Sequence, residues 1–311
     1  MKKQGVGHAT GKIILMGEHA VVYGDPAIAF PFKGTGVTCT FAPATTSSLT
    51  SSHYEGKLSD APSELRLIQQ LTQTLQQDFG QKNFHLTIES TIPSARGMGS
   101  SAAVAVAVTR AFFDWIDEAL PKERLLHYVN YAENIAHGNP SGIDAATTSG
   151  DQPIYFEKGK AFNSFPLNID AYLIVADTGI KGRTREAVDA VKELCRTQPQ
   201  KTNELIRHLG TLTRQAKEAI TTNQPHLLGR VMTAAHHDLS ELTVSNQSLD
   251  AFVELACRHG ALGAKLTGGG RGGCFLVLCQ DAAAAALIQS KLKNAGVRET
   301  WMQGLGVYEH V

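Results

Sequence analysis

The run Ile92-Pro93-Ser94-Ala95-Arg96-Gly97-Met98-Gly99-Ser100-Ser101-Ala102-Ala103-Val104-Ala105-Val106-Ala107-Val108 sets a proline and two spaced glycines ahead of an unbroken alanine-valine segment. Pro93 disfavours helix at Ile92, so the chain enters extended. Gly97 and Gly99 permit positive φ and a close approach of backbone to a bulky ligand. Ser100 or Ser101 is placed to cap the helix that follows, with its free N–H groups facing the loop. Such a helix end attracts anions, phosphate above all. No Lys-Ser/Thr pair follows the glycines, so this is not a Walker A loop. Alone, the stretch fits two readings: a phosphate cradle, or a glycine turn ahead of a buried helix.

On its upstream side, Phe84, Leu86 and Ile88 alternate with polar residues and predict a half-buried strand feeding the loop. Leu65, Ile68, Leu71 and Leu75 predict a helix over 63–79, and the Ser/Thr-rich segment 42–57 reads as a mobile flap or surface hairpin. Nearer the start, Ile13 to Met16 form a short buried strand with Lys12, Glu18 and His19 at its ends. Binding groups often stand at element ends, although a surface ion pair and a loop histidine would serve equally here. On the downstream side, the alanine-valine helix extends to about Ile116, and a second helix over 122–137 carries Glu133. Asp144 follows after a Gly-Asn-Pro turn, at a helix start where an aspartate is often only a cap. Glu133 and Asp144 flank one turn and could face one cleft.

Strands over 153–157 and 160–165 close a first unit of residues 1–165. The second, 166–311, opens with a buried strand over 172–176 ending at Asp177-Thr178-Gly179, then a helix with Thr184 as its cap. Three helical stretches (203–222, 224–239, 246–259) precede a strand that runs into Lys265-Leu266-Thr267-Gly268-Gly269-Gly270-Arg271-Gly272-Gly273-Cys274. A strand over 275–279, a helix over 281–295 and a strand over 299–307 complete the chain. The order βα, helical insert, ββαβ predicts an α+β protein whose C-terminal lobe is ferredoxin-like. His236 and His237 are adjacent and diverge by ~100° on a helix, so they read as packing or surface residues rather than a metal pair.

With 42% hydrophobic and 19% charged residues over 311 positions, the composition is that of a soluble globular protein large enough for two cores. Lys plus Arg equals Asp plus Glu, which leaves no field favouring nucleic acid or an anionic membrane. Five scattered cysteines without a CxxC pair suit a reducing compartment and argue against a disulfide framework or structural zinc. No apolar signal core follows the first residues, and no run approaches the ~18 apolar residues of a membrane span. A cytoplasmic location is the expectation.

Three motifs in sequence then resemble a known superfamily, the galactokinase, homoserine kinase, mevalonate kinase and phosphomevalonate kinase (GHMP) group. They are Gly11-Lys12 through Gly17-Glu18-His19, Pro93 through Gly97-Met98-Gly99-Ser100-Ser101-Ala102-Ala103, and Lys265 through Gly273-Cys274. The continuation Ala20-Val21-Val22-Tyr23-Gly24, the run His137-Gly138-Asn139-Pro140-Ser141-Gly142-Ile143-Asp144, and Asp177-Thr178-Gly179 with Thr184 are most similar to the mevalonate kinase branch. Thr10, Ala95 and Arg271 depart from the usual pattern without removing a catalytic group. The resemblance implies a two-lobed GHMP kinase fold: an N-terminal lobe containing a βαβ unit that holds nucleotide and substrate, and the ferredoxin-like C-terminal lobe. It implies ATP-dependent phosphorylation of the C5 hydroxyl of mevalonate. Asp144 would take the hydroxyl proton with Lys12 alongside. Glu18, His19 and Thr267 would line the mevalonate pocket, and residues Ala95, Arg96, Gly97, Met98, Gly99, Ser100 and Ser101 would wrap the ATP phosphates. Mg²⁺ would be held by Ser101 and Glu133, hard oxygen ligands suited to that ion. The loop arginines Arg96 and Arg271 are candidate phosphate neighbours. A homodimer is among the assemblies the resemblance allows. Another member of the superfamily, such as phosphomevalonate or homoserine kinase, or a catalytically silent nucleotide sensor on the same fold, stands as the alternative.

Overall fold

The N-terminal strand, β1 (Gly5–Met16), is far longer than the Ile13–Met16 segment that the apolar pattern predicts. Its first half hides behind small residues. Gly5, Gly7 and Ala9 are buried while Val6 and His8 are exposed, a period of two that glycine makes hard to read. The computed structural model describes residues 2–80, 83–93, 96–138 and 140–309; Ala95, expected at the phosphate loop, lies outside the described residues. The chain divides into two compact units, each assembled from non-contiguous segments. Unit 1 holds Met1–Lys12, Pro31–Ser94 and Gly99–Asp151; unit 2 holds Ile13–Phe30, Ala95–Met98 and Gln152–Val311. Strands β1 and β2 (Ala27–Pro43) therefore each give residues to both.

In unit 1, β2 is followed by β3 (Ser48–Ser51), β4 (Tyr54–Lys57), α1 (Arg66–Phe79), β5 (Phe84–Ser90), α2 (Ser100–Ile116), α3 (Lys122–His137) and α4 (Ile143–Thr148). The sheet runs β4-β3-β5-β2, and β1 also pairs with β2. β2 and β5 are antiparallel with Cys39 opposite Ile88, while β3 lies parallel to β5 with Leu49 opposite Leu86. The Ser/Thr-rich stretch is thus a hairpin anchored by the wholly buried Leu49. Phe41, Phe84, Phe112 and Trp115 form an aromatic centre, with Phe41 stacked on Trp115 at 5.7 Å. The backbone of α2 runs directly over β1. A Cβ at Gly7 would stand 2.3 Å from the Ala107 carbonyl oxygen, and one at Gly5 2.2 Å from the Trp115 nitrogen. Glycine on the strand and alanine on the helix let the two backbones meet. That contact fixes where the start of α2 lies relative to Lys12.

Unit 2 continues through β6 (Ile154–Phe156), β7 (Asn163–Ser164), β8 (Ala171–Asp177), α5 (Thr184–Thr197), α6 (Pro199–Thr221), α7 (Pro225–Glu241), α8 (Gln247–Arg258), β9 (Gly263–Leu266), β10 (Cys274–Cys279), α9 (Ala282–Asn294) and β11 (Glu299–Leu305). β6 pairs antiparallel with Ala27–Ala29, which ties the start of β2 to unit 2. The second sheet has order β11-β8-β10-β9, every neighbour antiparallel, the ferredoxin-like arrangement, with α6 and α7 as the helical insert. β8 is buried at all seven positions, so it reads as an apolar run rather than an alternation.

Three expected caps are absent. Gly99 is the N-cap of α2, which puts Ser100 and Ser101 inside the helix, and Arg183 precedes Thr184 at the start of α5. Gly142, not Asp144, caps α4. By contrast, Asn246 and Asp281 accept from Leu249 N at 2.9 Å and Ala284 N at 2.8 Å. All five cysteines are free thiols, and among the described residues no helix is long and apolar enough to cross a membrane.

Candidate active site

In unit 1 the interior of β1, where Lys12 sits rather than at a strand end, and the starts of α4 and α2 bring a small set of polar groups together. Lys12 lies on β1, Asp144 in the first turn of α4, and their charged atoms are 3.0 Å apart. Because Gly142 takes the cap position at φ 80°, the aspartate carboxylate is left to the lysine. Gly99 closes the arrangement from α2. Its φ of 68° is left-handed, and a Cβ there would sit 2.6 Å from Cγ of Lys12, so a side chain at this position would displace the lysine stem.

A second pair lies on α2 and α3. Glu133 is only 2% exposed, and its Oε1 has no hydrogen-bond partner. Burial pushes its carboxyl above the usual carboxylate range, held back by the Ser101 hydroxyl and by His137. His137 Nε2 is 3.1 Å from Ser101 Oγ and 3.9 Å from Glu133 Oε2. Glu133, His137, Pro140, Ser141, Gly142 and Asp144 line a cleft of about 230 Å³. A buried carboxylate oxygen without a partner is costly unless a cation meets it. Ser101 and Glu133 supply two hard oxygens for one. Among the described residues no group of three or more His, Cys, Asp or Glu side chains could hold a metal, so other ligands would have to come from substrate and water.

Glu18, His19 and Thr267 gather in unit 2, on the turn after β1 and the loop after β9. His19 has a left-handed φ of 61°, unusual for a residue other than glycine, and donates from Nε2 to the Gly269 carbonyl at 3.1 Å. Burial lowers its pKa, so the ring is neutral. Thr267 donates to the Ile14 carbonyl at 2.7 Å. Glu18 forms an ion pair with Lys265, and both side chains are essentially inaccessible. Arg96 does not project free. Its Nε meets the Asp177 carboxylate at 2.9 and 3.0 Å, and Nη2 reaches the Gly179 carbonyl at 3.3 Å. Arg271 likewise donates to the Thr243 carbonyl at 3.2 Å, at a φ of 56°. Met98 is buried beside Cys274, whereas Gly97, at φ 77°, faces open space. His236 is a packing residue, as expected. Its Nδ1 accepts from Leu266 N at 3.3 Å, which leaves the proton on Nε2, 3.1 Å from Asp250.

Three participants were quoted in the sequence motifs but given no role there. His137 stands four residues after Glu133 on one helix, a spacing that could have drawn attention to it. Asp177 ends an apolar strand, and Lys265 opens the third glycine motif from within a buried strand. A lone charge inside an apolar run is the available signal for both.

Comparison with known proteins places these groups in context. Residues 66–151 match the GHMP kinases N terminal domain, and residues 216–298 the GHMP kinases C terminal domain. A mevalonate kinase of Pyrococcus furiosus is 31% identical, over 89% of each chain. The crystal structure of mevalonate kinase from methicillin-resistant Staphylococcus aureus is 35% identical, covering 98% of this chain and 100% of that one at a TM-score of 0.78. The L. major mevalonate kinase in complex with R-mevalonate is 25% identical, covering 97% and 95% at 0.83.

Proposed function

This chain belongs to the GHMP kinases, and on that footing we propose that it is a mevalonate kinase, phosphorylating the C5 hydroxyl of (R)-mevalonate from ATP in the route to isoprenoids. The observation that carries the reading is the Lys12–Asp144 pair at 3.0 Å beside Gly99. Phosphoryl transfer to an alcohol needs positioning and charge neutralisation more than covalent chemistry. Asp144 accepts the hydroxyl proton as the C5 oxygen bonds to the γ-phosphorus and the bond to the bridging oxygen of ADP breaks. Lys12 steadies that carboxylate and the developing alkoxide. The N–H groups at the start of α2 bind phosphate oxygens. Glu18, His19 and Thr267 hold the acceptor alcohol.

Ser101 and Glu133 would hold Mg²⁺. The orphaned Glu133 Oε1 and the oxygen-only donor set fit that ion. When bound, it neutralises charge on the transferred phosphoryl group. The free thiols and neutral overall charge suit a cytoplasmic enzyme.

The test is coupled ADP release with ATP-Mg²⁺ against mevalonate, phosphomevalonate, homoserine and galactose. Turnover with mevalonate alone is expected. A response to one of the others instead would reassign the acceptor. Silence with all four would make the chain a nucleotide-binding sensor.

A further inference from the structure

Among the described residues, Lys265 is the most deeply buried cation that no step above uses. Its side chain is wholly inaccessible, on a strand whose four positions are all buried. The ammonium donates to Glu18 Oε1 and, at 2.6 Å, to the carbonyl of Leu266. The other Glu18 oxygen, Oε2, is buried and has no partner. Two features make this more than a folding contact. A buried ion pair seldom improves on an apolar replacement for stability alone. And Glu18 directly precedes His19, whose left-handed backbone needs its neighbours to hold it.

We propose that Lys265 is a positioning residue for the acceptor alcohol: by fixing one oxygen of Glu18 it aims the other, and the His19 turn, at the substrate. The inference rests on the assignment of Glu18 and His19 to the alcohol pocket. Lys265 also favours the ionised form of that carboxylate. Burial raises the Glu18 pKa, and Lys265 is the cation opposing the rise, with the Gly268 amide as a lesser aid. The other groups nearby do not substitute for it. The His19 ring is neutral and bound to Gly269, Arg271 is tied to Thr243, and His236 is neutral and bound to Asp250.

The experiment is Lys265→Met, assayed from pH 6 to pH 9 beside the wild type. The expected result is a rise of roughly 10- to 100-fold in KM for the alcohol at neutral pH, with KM for ATP unchanged. The loss should shrink as pH rises and Glu18 ionises unaided, a limb absent from the wild-type profile. A kcat/KM within twofold of wild type at every pH overturns the proposal. So does a loss equal for both substrates that follows the melting temperature. If Lys265→Met does not fold, the double variant Glu18→Gln/Lys265→Met removes both charges together. Its KM for the alcohol is expected to equal that of Glu18→Gln alone, because Lys265 acts through Glu18, and a further rise beyond the single variant overturns the proposal. The wild-type control separates the two readings: if it phosphorylates another alcohol, the mevalonate assignment fails while Lys265 is still judged against the true acceptor.

Discussion

Replacing Gly99 with alanine tests the geometry of the phosphate loop and the lysine together. The added Cβ would stand 2.6 Å from Cγ of Lys12 and 3.2 Å from its Cε. Ordinary carbon contacts lie at about 3.5–4.0 Å, so the lysine stem must retreat by roughly 1 Å. Its side chain is only 8% exposed, which leaves little room to move without pulling the ammonium from Asp144. Lengthening a 3.0 Å pair to roughly 4 Å at an effective dielectric of about 20 sacrifices about 1.4 kcal/mol of attraction, near tenfold. A misplacement of ~1 Å at the reacting groups raises the expected loss in kcat to about 100-fold. The left-handed backbone at φ 68° adds about 1–2 kcal/mol of destabilisation for alanine. Steady-state ADP release and a urea melt read the two effects separately. Gly97→Ala is the control. It carries the same kind of backbone strain at φ 77° but meets no atom within 4 Å, so any loss should fall on KM for ATP. If Gly99→Ala kept kcat within threefold of wild type, the claim that Lys12 is wedged between Gly99 and Asp144 would be refuted.

Asp144→Asn should lower kcat by about 10³-fold while calorimetry finds ATP binding intact; normal turnover would remove the proton-acceptor role. Ser101→Ala and Glu133→Gln should each raise the Mg²⁺ concentration for half-maximal rate, and an unaltered titration would exclude them as ligands. Because Glu133 is buried without a full set of partners, Glu133→Gln should also raise the melting temperature of the metal-free protein; a fall would contradict that account. His236 gives a pH signature. Burial holds its pKa at about 4, below the ordinary value of 6.5, so on acidification the unfolded chain takes up a proton that the folded one refuses. Its contribution is complete above pH ~6.5 and is lost as pH falls toward 4, to the extent of about 3 kcal/mol. His236→Gln should flatten that acid limb in urea melts; an unchanged slope between pH 7 and 4.5 would sink the idea.

Much of this architecture was legible from the residues. Helices α2 and α3 end where the apolar period and the Gly-Asn-Pro turn place them, and the C-terminal order of strands and helices led directly to the ferredoxin-like sheet. What misled was small or dual-purpose residues. Gly5 and Gly7 concealed half of β1, because glycine is a poor strand former used there for backbone contact. Ser100, Ser101, Thr184 and Asp144 all carry cap-forming side chains yet sit inside their helices, since Gly99, Arg183 and Gly142 take the bends. Periodicity describes faces, not partners. Nothing within 132 residues of chain relates Lys12 to Asp144, or flags that Lys265 would be buried on Glu18. The resemblance of the motifs supplied the first pairing and was silent on the second.

The interleaved chain path has a consequence for synthesis. Residues 13–30, which include the buried Ile13, Leu15, Met16 and Phe30, belong to a unit whose main body begins only at Gln152. At about 5–20 residues per second, these apolar strands wait on the order of ten seconds after translation before the sequence that covers them exists. During that interval they are exposed strand-formers, open to aggregation and to chaperones. A fragment stopping near residue 165 would leave that interval permanently unresolved, carrying pieces of a core whose remainder is never made.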